Sequence, residues 1–135
     1  MDLLNELASA KEWGNLREQA GRHLGSADLR VSTQARRMLA LALANSDELT
    51  DKNKAIQYYR SLAESETAVF ADHGSLATLL ADAGCTDSAK DVVLKGIRKF
   101  PAKAAYFSEI GHQIVEATGD RDFREQLTDA TRETI

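Results

Sequence analysis

His112 and Glu116 stand four residues apart, the spacing that sets two side chains on one face of a helix where both could reach one metal ion. A metal site needs three or four ligands, and neither His23 nor His73 has a comparable partner in sequence. The pair therefore reads as a groove-lining or solvated contact, and no metal is expected. Cys85 is the only cysteine, so it forms no internal disulfide. With no basic neighbour in sequence to activate it, it reads as an inert turn thiol. The eight glycines are scattered singly and none follows a strand, which excludes a phosphate-cradling loop. No GxSxG nucleophile turn occurs. No catalytic residue and no cofactor are expected, and the chain does not read as an enzyme.

Whatever work it does must then lie in surface shape, and composition bounds the kind of surface. The 135 residues are 43% apolar and 28% charged, the balance of one globular domain spanning 1–135 with a core of its own. A net charge of −4 argues against nucleic acid, whose binding depends on a basic surface. The opening MDLLNELASAKEW has an acidic second residue and no basic segment leading into a long apolar run, unlike a secretory signal. The longest apolar run, MLALALA at 38–44, falls far short of the ~18 residues that span a bilayer. No membrane partner is expected, and the expected location is cytoplasmic.

The elements that position any surface recur along the chain. Leu3-Leu4 with Leu7, Leu39-Ala40 with Leu43, Leu76-Ala77 with Leu80, and Ile110-Gly111 with Ile114 repeat one apolar pattern at starts 36, 37 and 34 residues apart. Each is followed by a second helical stripe: Leu16/Ala20/His23, Ala55/Tyr59/Leu62, Ala89/Val93/Gly96 and Phe123/Leu127/Ala130. The second unit is longer by the polar insertion NSDELTDKN. Gly84 sits where a helix would stop, and Pro101, the only proline, ends the third unit. Candidate caps are Asp28 or Ser32, Thr50 or Asp51, Ser65 or Thr67, Thr86 or Asp87, and Asp120 or Asp122. The spacing predicts eight helices in four pairs, over about 1–27, 29–66, 67–101 and 103–135. Glycine inside a helix costs up to about 1 kcal/mol relative to alanine, so Gly96 and Gly111, like Ala77 and Ala89, are expected where packed helices cross at close range.

Leu76-Ala77, Leu80, Gly84, Ala89, Val93, Gly96 and Pro101 resemble the tetratricopeptide repeat family, whose unit is a helix pair recurring every ~34 residues. The fourth unit keeps Ile110-Gly111, Ile114, Gly119 and Ala130, with its glycine one place late and Phe123 where alanine is usual. The second keeps Leu39-Ala40, Ala55, Tyr59 and Leu62. The first is the weakest, with a short leading helix and Leu16 in the alanine position. The resemblance covers nearly the whole chain. It implies an all-α, right-handed superhelix (α-solenoid) of about four antiparallel helix pairs.

Such arrays bind extended or helical peptides on the concave side lined by the first helix of each pair. The faces turned away from the packing stripes carry Asn5, Arg37, Leu41, Asn45, Thr78, Asp82, His112 and Glu116, over a floor left open by Ala71, Gly74, Ala81 and Ala105. One subset of the family grips a C-terminal carboxylate with lysine, arginine and asparagine. Here Arg37 and Asn45 are the only candidates for that clamp, while Asp82 and Glu116 repel an anion. The expected partner is a protein or peptide segment, amphipathic and basic. Two rival readings are self-assembly, with Leu3, Leu4 and Leu7 supporting a weak homodimer, and a small acidic chaperone for a secreted substrate. Trp13 and Tyr59 are expected to pack between helices, with Tyr58 outward.

Overall fold

The computed structural model describes residues 2–134, which contain eight α-helices, one short 3-10 turn and no strand. The chain divides into two compact units, Met1–Thr67 and Ala68–Ile135. The division falls at the expected boundary between the second and third repeats.

The first unit holds α1 (Asp2–Ser9), α2 (Trp13–His23), α3 (Leu29–Ala44) and α4 (Leu49–Glu64). α1 packs on α2 and α3, and α3 packs on α2 and α4. Leu4, Leu7, Leu16, Ala20, Leu39, Ala40, Leu43, Ala55, Tyr59 and Leu62 are all buried, so both apolar stripes of both pairs face this core. His23 is the exception. It is the last residue of α2, where no neighbouring helix covers it, and it is exposed. Leu3 also faces outward, 52% exposed, because Leu4 and Leu7 take the inner face of α1.

The second unit holds α5 (Phe70–Asp82), α6 (Thr86–Lys99), the 3-10 turn Pro101–Lys103, α7 (Ala104–Thr118) and α8 (Arg121–Arg132). α6 packs against α5, α7 and α8. Its core is Leu76, Ala77, Leu80, Ala89, Val93, Ile97, Phe107, Ile114, Phe123 and Leu127, all buried. The small residues stand at close helix crossings, as expected. A Cβ on Gly96 would lie 2.5–2.8 Å from the Phe107 ring, and one on Gly111 2.6–3.3 Å from the Leu127 side chain. Ala77 and Ala89 are wholly buried.

Two helix ends share one turn. After α5, Gly84 adopts a left-handed φ of 83°. Its N–H donates to the Ala81 carbonyl at 3.1 Å and Cys85 N–H donates to Leu80 at 2.8 Å, the paired bonds that satisfy a helix's last carbonyls. After α1 the same bonds run from Lys11 to Ala8 (3.0 Å) and from Glu12 to Leu7 (2.9 Å), and Lys11 takes a φ of 57° without being glycine.

Asp28 and Asp120 cap α3 and α8, accepting from Arg30 N–H and Phe123 N–H, each at 3.0 Å. The other expected caps are displaced. α4 starts one residue after Glu48, which makes no side-chain cap bond, and Asp51 is buried inside the helix. α6 follows Cys85, with Thr86 already helical. α5 follows Val69, whose N–H donates to Asp72 at 3.0 Å, while Ser65 and Thr67 bond to one another in the preceding turn. Each displaced candidate has a stronger partner elsewhere, or lies inside the helix whose start it marks.

Candidate partner-binding surfaces

The eight expected groove residues divide four and four between the units. In the second unit, Thr78 and Asp82, one helical turn apart on α5, line a cleft of about 140 Å³ with Ala81. Thr86 of α6 closes one end, and Ile110, Gln113, Ile114 and Ala117 of α7 form the other wall. His112 and Glu116 are exposed and lie on a different face of α7, outside the residues that line the cleft. Among the described residues no group of three or more histidines, cysteines, aspartates or glutamates could hold a metal ion.

Gly74 departs from expectation. It does not leave the floor open but is buried, and the Tyr106 ring occupies its space, so that a Cβ there would meet ring atoms at 2.6 Å. Tyr106 is held edge-on to both Phe70 (centroids 5.0 Å apart) and Phe107 (5.2 Å). The Lys103 ammonium lies 4.6 Å over the Phe70 ring. Burial pushes the Tyr106 hydroxyl above its ordinary pKa. Tyr106 thus plugs the face between α5 and α7 beside Gly74 and leaves it open further along, at Thr78 and Asp82.

In the first unit, Arg37 lines a hollow of about 300 Å³ with Leu29, Arg30, Thr33, Gln34 and Thr67. Its guanidinium donates to the Thr67 carbonyl at 3.0 Å, so it is engaged within the fold. Asn5 accepts from Gln34 at 3.4 Å, which ties α1 to α3. Asn45 donates back to the Leu41 carbonyl at 2.9 Å, and Leu41 is half-buried. Arg37 and Asn45 therefore each spend donors on nearby carbonyls, which weakens them further as a carboxylate clamp.

Both units carry a cross-helix ion pair that no local motif announces. Arg17 of α2 donates to Asp51 of α4 at 3.1 Å, and Ser46 donates to the same oxygen at 2.8 Å. Lys90 of α6 pairs with Asp120 at the start of α8 and sits 5.8 Å from the Phe123 ring centroid. Arg17 and Lys90 are 73 residues apart, the separation of Leu3 from Leu76, so the two cations hold equivalent repeat positions. The Ser46 hydroxyl first, then Arg17, holds the Asp51 carboxyl below its ordinary pKa. Lys90 does the same for Asp120, aided by the Phe123 N–H, and Asp120 raises Lys90 in return.

No helix among the described residues is long and apolar enough to cross a membrane. Comparison with protein-family models, curated proteins and solved structures finds no match to this chain.

Proposed function

We propose that the chain is a non-catalytic, cytoplasmic interaction module of tetratricopeptide type, its four helix pairs stacked as an α-solenoid that binds a protein segment along the first helices. The observation that carries this reading is the cleft between α5 and α7, whose walls are small or aliphatic and which ends on the exposed carboxylate of Asp82. A concave, mostly apolar site with few polar groups is the usual form of a ligand site. Recurrence of the same stripes, the same helix-end turn and the same ion pair supports a repeat array. The segment that fits is amphipathic, with apolar anchors over Ala81 and Ala117 and basic residues toward Asp82 and Glu116.

The test is selection of displayed random peptides on the intact protein, followed by hydrogen-exchange mapping of the best binder. Protection confined to α1, α3, α5 or α7, lost in Asp82→Lys with Glu116→Lys, is the expected result. Protection on α6 or α8, or binding retained by the double charge reversal, overturns the proposed site. A second reading, weak self-association, is favoured by one observation: Leu3 stands 52% exposed on α1.

A further inference from the structure

The polar groups around the α5–α7 cleft are unequal in kind. The Thr78 hydroxyl donates its hydrogen to the Gly74 carbonyl at 2.9 Å, so toward the cleft it offers only lone pairs. Asp82, one turn on, offers a carboxylate that makes no ion pair among the described residues. No lysine, arginine or histidine lines the cleft, and its remaining surface includes the aliphatic side chains of Ala81, Ile110 and Ala117. The site therefore combines an aliphatic channel with acceptors at one side. A simple apolar anchor would fill the channel but leave Asp82 facing it without a donor. An anion would be repelled.

We propose that this cleft receives the side chain of a lysine or arginine from the bound segment, the methylene stem lying on Ala81, Ile110 and Ala117 and the cationic head donating to Asp82 and Thr78. Such side chains routinely bury their stems on apolar surface while the charge stays at the wet edge. An ammonium has three donors and no acceptor, the complement of what Asp82 and Thr78 present. The inference rests on the segment-binding reading and adds to it the identity of one bound residue. The basic residue of the segment is an anchor inserted between α5 and α7, not a rim charge.

The probes are Nα-acetyl-lysine methylamide, its arginine counterpart and Nα-acetyl-norleucine methylamide, titrated separately into isotope-labelled full-length protein and followed by amide chemical shifts. The lysine or arginine probe is expected to shift Thr78, Asp82, Gln113 and Ala117 in a saturable manner. The norleucine probe and the Asp82→Asn variant should each weaken that binding by about fivefold, the upper end for a solvent-exposed ion pair. Equal binding of norleucine, an unchanged response in Asp82→Asn, or no saturable shift at these residues would overturn the cationic anchor. The peptide selection stands apart from this titration. Selected peptides that map to the first helices without an essential basic residue would leave segment binding intact while this inference fails.

Discussion

Lys11 is a non-glycine residue in a conformation its counterpart, Gly84, adopts freely, and replacing it should stabilise the first unit. The left-handed region costs an L-residue roughly 1–2 kcal/mol, because Cβ crowds the following carbonyl oxygen. Against that gain, glycine adds conformational freedom to the unfolded chain, worth about 0.4–1 kcal/mol. Lys11 is exposed and its side chain makes no ion pair, so no contact offsets the gain. Lys11→Gly is expected to stabilise by about 0.5–1 kcal/mol, the difference between those two effects. Trp13, the only tryptophan, lies half-buried two residues further on and reports unfolding of this unit by fluorescence. With a urea dependence of about 1 kcal/mol per molar for so small a unit, the midpoint should rise by about 0.5–1 M. The reverse change, Gly84→Ala, should destabilise the second unit by a similar amount, since a Cβ there meets nothing within 4 Å and the cost is one of backbone alone. A Trp13 midpoint that stays put or falls in Lys11→Gly would refute the argument that this turn stores strain.

Three further outcomes are expected. Gly96→Ala should cost roughly 1–3 kcal/mol by overpacking against Phe107, partly recovered in Gly96→Ala with Phe107→Leu, as denaturant midpoints will show. Buried His73 has its pKa held below 6.5 chiefly by desolvation, then by Lys99 and Lys95, against the opposing Asp72 carboxylate and Val69 carbonyl; its ring also packs on Phe100. The unfolded chain then takes up a proton first, so the second unit should lose stability as pH falls below 6.5, and His73→Gln should remove that decline while leaving the loss below 3.8 from Asp51 and Asp120. If Leu3 supports self-association, sedimentation will show a concentration-dependent mass that Leu3→Glu abolishes; a constant monomer mass counts against it.

The helices themselves were legible in the sequence because each depends on local spacing. Apolar residues at Leu76, Leu80, Ala89 and Val93 must share a buried face once the backbone is helical, and Gly96 and Gly111 could only be tolerated inside helices where another chain segment came close. Gly84 and Asp120 were legible for the same reason, since a left-handed stop and a helix cap are settled within a few residues. The caps of α4, α5 and α6 were not, because several polar side chains compete near each start and partners far along the chain decide between them. Asp51 is the clearest case: it stands in a capping position by sequence, yet Arg17, 34 residues away, and Ser46 draw it into a cross-helix bond. The candidate surface divides along the same line. Exposure of Asp82 and Thr78 followed from the helical period, but the groove floor did not. Tyr106 fills the space over Gly74 from 32 residues away, a fit that depends on how α5 and α7 cross. Gln113 and Ala117 line the cleft for that reason too, while His112 and Glu116, whose spacing drew attention first, fall on another face of the same helix. Period and turn chemistry are properties of the chain over one or two helical turns, so the sequence alone determined the helices and their buried stripes. Which surface residues converge is set by the rotation and separation of packed helices, and only the tertiary structure decided it.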